Sequence, residues 1–277
     1  MRSFLSLLLV LCLCPGSYRG VRAQTPTYGI PEGNVRQGTA LLGVSDMQTL
    51  DQMMFFIPGI GSPASDLARQ NIKSYMMPIR KAPNANMEWA YALAGGLEYY
   101  LNLNNNFKDN LSPDFIALSL ARSGTAPNIE DGLKHLVQQG TVSAAIVPYG
   151  STTIPNAVYS VPKFNIANYG YLFRPETRPR NKVFEAKKAL TRGNPVIVQL
   201  STDAGFSNLK RGSYATNTPG AELHYLTVVG FDNQNQFFEL RGIQGRDWGE
   251  AGYVRISFDN FGRLAQTGYV LIPKLAK

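Results

Sequence analysis

The chain has 277 residues and a formal charge of +8, from 27 basic and 19 acidic side chains, with two histidines and two cysteines. The basic residues are scattered, the densest pairs being Lys187-Lys188 and Lys210-Arg211. That is the pattern of a solvated surface and argues against a nucleic-acid partner. The length suits one large domain or two lobes sharing a cleft.

Arg2, the largely apolar run from Phe4 to Cys14, and Val21-Arg22-Ala23 ahead of Gln24 have the order of a secretory signal peptide over residues 1–23. The run is too short to cross a bilayer, and no later stretch is apolar enough, so no membrane span is expected. A lipid-modified cysteine needs a small residue before it, whereas Leu11 and Leu13 precede Cys12 and Cys14. Both cysteines would leave with the signal. Without Arg2, Arg19 and Arg22 the exported chain keeps 24 basic residues against 19 acidic ones, or +5. It would hold no disulfide and no zinc cluster, and neither a metal nor another cofactor is expected. The expected location is secreted or periplasmic, with a lean toward a bacterial envelope.

Residues 24–65 are rich in Gly, Pro, Thr and Ser, with a short helical pattern near Met47–Phe56. They read as an N-terminal arm packed on a neighbour, leaving 66–277 as the domain. Trp89, Leu93, Leu97 and Tyr100 recur at helical spacing within Met87–Asn102, among small residues that demand close packing. Ser112-Pro113 starts a helix through Ala121. Asn128 to Gln139 is amphipathic, closed by Gly140, with His135 on its polar side and expected at the surface. Gly150–Arg180 is irregular and reads as a lobe-to-lobe crossing, in which Tyr169, Tyr171 and Phe173 alternate, a pattern that suits a groove lining or a buried strand equally. After a helix from Val183 to Arg192, strand character dominates Pro195–Leu200, Tyr225–Phe231, Gln236–Arg241, Gly252–Phe258 and Gly268–Ile272. Helices first and strands later give an α+β class with two segregated lobes, helical near 71–150 and β near 181–273.

Three segments carry a family resemblance. Trp248-Gly249-Glu250-Ala251-Gly252-Tyr253-Val254-Arg255-Ile256 resembles the W-G-x-x-G-Y-x-x-I strand of papain-like cysteine proteases. Leu223-His224-Tyr225-Leu226-Thr227-Val228-Val229-Gly230-Phe231 is similar to the family strand that bears the catalytic histidine. Glu88-Trp89-Ala90-Tyr91-Ala92 stands where the family has C-W-A-F-S at the start of its central helix. Leu111-Ser112-Pro113, Pro148-Tyr149 and Pro195-Val196 fall in the family's order, and the lead-in from Pro63 to Arg80 resembles that of bacterial members. The resemblance covers roughly residues 60–273. It implies a papain-like two-lobed fold, a helical lobe followed by an antiparallel β-barrel-like lobe, with an interlobe cleft.

That family's chemistry needs a thiolate at a helix N-terminus, a histidine that moves its proton, an Asn that orients the histidine, and a Gln that stabilises the oxyanion. Carried over residue by residue, His224 keeps the histidine position, Glu88 replaces the nucleophilic Cys, Gly242 replaces the Asn and Ala82 replaces the Gln. Gln244 stands where a shielding Trp belongs. Ser74, Ser143 and Ser201 do not fall at the nucleophile position. Trp89, Gln244 and Trp248 would line the cleft, although both indoles also suit core packing.

The reading is a secreted pseudo-peptidase, holding a peptide or protein in its cleft or serving a structural role. Alternatives are a hydrolase with a rearranged site using His224 and Glu88, and a scaffold docking on acidic envelope polymers. Glu88 and His224 are expected to meet across the lobes.

Overall fold

The structure, a computed structural model, describes residues 42–54, 56–62, 67–104, 108–121 and 126–274. The expected signal peptide at 1–23, with Cys12 and Cys14, lies outside the described residues, as do 24–41, 55 and 63–65 of the arm and the expected domain start at 66.

The described part of the arm carries a short helix, α1 (Met47–Met53), capped by the Asp46 carboxylate on the Thr49 N–H. The described part of the arm packs on the chain's own β lobe. The Val44 N–H donates to the Tyr169 carbonyl and the Tyr171 N–H to the Val44 carbonyl, while Leu50 is fully buried. Arg192 and Lys188 bind Asp51, which fastens the helix from the other side.

The helical lobe is built on α2 (Glu88–Asn104), entered through a 3-10 turn at Ala85–Met87. Two shorter helices, α3 (Pro113–Ala121) and α4 (Ile129–Gln138), pack on it. Ser112 Oγ accepts from the Phe115 N–H at the start of α3, and Asn128 with Asp131 forms a reciprocal capping box on α4. α2 is buried because both lobes close on it, and its small residues make that possible. A Cβ at Gly95 would stand 2.8 Å from Arg241 Nη1, so only glycine admits the guanidinium from the β lobe.

The β lobe is an antiparallel seven-stranded sheet. Its strands are β1 (Arg69–Asn71), β2 (Ile166–Phe173), β3 (Val196–Thr202), β4 (Glu222–Asp232), β5 (Phe237–Arg241), β6 (Tyr253–Ser257) and β7 (Ala265–Pro273). The order is β2-β7-β3-β4-β5-β6, with β1 pairing the far end of β4 beyond β3. Two helices, α5 (Pro179–Thr191) and α6 (Phe258–Leu264), pack together beside it. One apolar core runs from Leu93 and Leu97 of α2 to Ile197 and Leu271 of the sheet.

Two expectations need correction. The segment 150–180 is not only a crossing: Ile166–Phe173 is an edge strand on β7, and α5 already starts at Pro179. Tyr169, Tyr171 and Phe173 are all buried, because the arm covers the strand's outer edge. Of the two readings open for their alternation, groove lining and strand burial, the structure shows burial. His135 is not at the surface either. It is 9 % exposed and its ring lies 6.0 Å from that of Phe115, since α4 is covered by α3 as well as by α2. Burial lowers its pKa, opposed by the backbone at Gly140.

Candidate functional site at the lobe junction

Glu88 is the first residue of α2, where the unpaired N–H groups and the dipole favour an anion. His224 is the third residue of β4 and lies opposite Leu200 of β3. Both are 5 % exposed. His224 Nδ1 is 3.0 Å from each Glu88 carboxylate oxygen, so the helical and β lobes meet there in a buried acid–imidazole pair. Glu88 also accepts from the Tyr225 N–H at 3.2 Å and from Gln244 Nε2 at 3.3 Å. Both oxygens are therefore occupied by donors. The Gln244 carbonyl oxygen accepts in turn from the Ile243 N–H.

The other ring edge of His224 faces outward. Nε2 lies 3.3 Å from Glu222 Oε2 and 3.3 Å from Ser207 Oγ. Burial disfavours the imidazolium, but hydrogen bonds and charge from Glu88, then from Glu222, outweigh it, and the His224 pKa is raised above its ordinary value. The Phe206 ring lies 5.1 Å from the imidazole at 33° between planes, and its carbonyl accepts from Trp248 Nε1 at 2.7 Å.

The remaining predicted residues sit around this pair in different ways. Ala82 is buried beside Tyr91 and Ile243, its N–H bonded to the Ile243 carbonyl, and Lys81 bridges Gln244. Gly242 lies against Gln244 and Trp248: a Cβ there would stand 2.6 Å from Gln244 Oε1 and 2.6 Å from the Trp248 ring. The position is therefore filled by its neighbours. Trp89 and Trp248 do not line an open cleft. Each is 3 % exposed, Trp89 lying against Gly132 of α4 and Trp248 stacking edge-on to Phe206. Their large apolar rings are worth more in the core than at a wet surface. Only Gln244 of the three reaches the Glu88–His224 centre.

Sequence reasoning missed Glu222, Phe206 and Ser207. Glu222 had a signal, because period two on a strand sets it on the same face as His224. Ser207 and Phe206 had none, since a turn 17 residues upstream reaches the ring only through the fold. Among the described residues no cluster of His, Cys, Asp and Glu is arranged to hold a metal, and no helix is long and apolar enough to cross a membrane.

Solved structures share this architecture. The bromelain protease from Ananas comosus in complex with the E64 inhibitor superposes with a TM-score of 0.62 at 20 % identity, covering 76 % of this chain and 100 % of that one. Procathepsin L 3 from the Tenebrio molitor larval midgut gives a TM-score of 0.62 at 18 % identity, over 79 % of this chain and 75 % of that one. Among curated relatives, gamete and mating-type specific protein A of Dictyostelium discoideum is 27 % identical over 71 % of this chain and 44 % of its own length. Ananain of Ananas comosus is 27 % identical over 49 % of this chain and 38 % of its own. The chain thus spans about two fifths of the length of these relatives, and both are eukaryotic. The model of the papain family cysteine protease matches residues 63–270. With that match over most of its length, the chain belongs to the papain family of cysteine proteases.

Proposed function

We propose that this chain is an exported papain-fold protein without thiol-peptidase chemistry, whose interlobe cleft holds an extended peptide or protein segment instead of cutting it. The observation that supports this most is the buried Glu88–His224 pair, with both Glu88 oxygens 3.0 Å from Nδ1. A carboxylate is a poor nucleophile toward an amide, and its acyl product would be an anhydride. Glu88 is further quenched by donors from Tyr225 and Gln244. Hydrogen bonds and charge from Glu88 and Glu222 outweigh burial and raise the pKa of the imidazole beside it, which favours its protonated form. Alanine at 82 offers no side-chain donor to an oxyanion, which by itself costs roughly 10²–10³ in rate.

The reading also takes in export to the periplasm or medium, with residues 1–23 removed, and no nucleic-acid partner. It is tested by incubating the purified, secreted protein with a diverse peptide library at neutral pH, then identifying retained peptides by mass spectrometry. Retention of intact peptides is expected. Fragments whose formation a thiol-alkylating reagent blocks would refute the missing-thiol half, and no retention at all would refute the binding half.

A further inference from the structure

The two edges of the His224 ring lie in different surroundings. Nδ1 faces the buried Glu88 carboxylate at 3.0 Å, while Nε2 faces the exposed Ser207 hydroxyl at 3.3 Å. A hydroxyl, an imidazole and a carboxylate therefore stand in line, at separations by which a serine oxygen is made nucleophilic. The turn that carries Ser207 is anchored: Phe206 is fully buried, stacks on His224 and Tyr214, and receives the Trp248 indole N–H on its carbonyl.

We propose that Ser207, His224 and Glu88 form an acyl-transfer site for activated carboxylic esters, with Ser207 as nucleophile, His224 as general base and Glu88 as the positioning residue. The site goes beyond the peptide-holding role, with which it is compatible. Glu88, in the seat expected of a nucleophile, now orients the ring, and the nucleophile comes from the opposite edge.

Protonation gates the site. As an imidazolium, His224 gives its Nε2 proton to Glu222 or Ser207 and cannot act as a base. The charged groups acting on the ring are Glu88 from α2 and Glu222 from β4. β3 and the turn Phe206–Asn208 carry no charged side chain, Gln244 is neutral, and Asp203 is engaged by Thr216 and Gly205. Above its pKa the neutral ring keeps Nδ1–H on Glu88 and turns a lone pair toward Ser207. The Glu222 side chain, 42 % exposed, can then swing into water. Ser207 Oγ bonds to the ester carbonyl carbon as its proton passes to Nε2. The tetrahedral adduct collapses, the C–O bond to the alcohol breaks, and the departing oxygen takes that proton. Water then releases the acid from acyl-Ser207 by the same proton route. With alanine at 82 a developing oxyanion lacks a side-chain donor, which confines turnover to good leaving groups rather than peptide bonds.

The test treats the full secreted protein with an alkyl fluorophosphonate and, separately, with a p-nitrophenyl ester, from about pH 6 to about pH 10, a range that brackets a raised histidine. Labelled residues are located by mass spectrometry. Ser207 labelling is expected to rise through one ionisation above the ordinary histidine range and to fall at least about a hundredfold in His224→Gln, and p-nitrophenyl ester turnover to fall as much in both Ser207→Ala and His224→Gln. Glu222→Gln should move the midpoint down while keeping the high-pH rate. Glu88→Gln should move the midpoint down and lower that rate, a pattern that a merely structural role would not give. Ser207→Ala, at an exposed position, should retain the near-ultraviolet dichroism and the neutral-pH peptide capture of the parent, so failure here is distinct from failure of the binding role. Labelling of Ser207 no greater than that of exposed Ser74 at every pH, or labelling that persists in His224→Gln, would overturn the proposal.

Discussion

Glu88 differs from an ordinary surface carboxylate in having four donor contacts from three residues, and His224 differs from a free histidine in having a carboxylate at each ring nitrogen. Because the folded His224 pKa is raised, its stabilising effect is fully present below the unfolded value near 6.5. It is lost as pH rises through the folded value. Glu88→Gln should therefore destabilise by about 1–3 kcal/mol near pH 6, the cost of a buried group left without its charged partner. The loss should shrink in alkaline solution, as thermal melts against pH would record. His135 has the opposite sign: its lowered pKa means that stability present above the ordinary value is lost as pH falls. Gly242 gives a second residue-scale test. Gly242→Asn must displace Gln244 Oε1 and the Trp248 ring, so a loss of about 1–3 kcal/mol is expected in denaturant titration. Gln244→Ala made alongside it should recover part of that loss, because only the amide can yield cheaply.

At the scale of elements, α2 joins the lobes through polar as well as apolar contacts. Further along α2 from Glu88, the fully buried Glu98 accepts from Arg80 at 2.6 Å and from the Leu111 N–H at 2.6 Å. Nearby Arg241 of β5, 2 % exposed, donates to the Met77 and Pro78 carbonyls in the space left by Gly95. Burial raises the Glu98 pKa against the pull of Arg80. Arg80→Met would strand the carboxylate and should cost about 3–5 kcal/mol. Arg263→Met, which breaks an exposed pair with Asp259, should cost under about 1 kcal/mol. Equilibrium unfolding of the two variants distinguishes a structural ion network from incidental surface charge.

The same elements show what a sequence can and cannot convey. The helical stripe of α2 and the β-branched run of β4 were legible, because the large apolar side chains of α2 recur at helical spacing among small ones and β4 is dense in Val, Leu and aromatic residues. β2 was legible only in part: the alternation of Tyr169, Tyr171 and Phe173 suited a strand, but Asn168 and Gly170 interrupt the β-formers and its pairing is broken by two register shifts. Glu88 and His224 could be paired through the resemblance, although 136 residues separate them. Ser207 could not, because no local pattern records which turn will close over a ring.

For the whole molecule, the described chain places a sheet and a helical lobe around one core, and their junction holds a carboxylate–imidazole pair in the described structure. Both oxygens of that carboxylate are engaged by donors. The most direct measurement is digestion of casein at neutral pH by the purified secreted protein, its N-terminus sequenced, with and without a thiol-alkylating reagent. The account predicts an N-terminus near Gln24 and no proteolysis in either sample. Proteolysis that the reagent abolishes would contradict it.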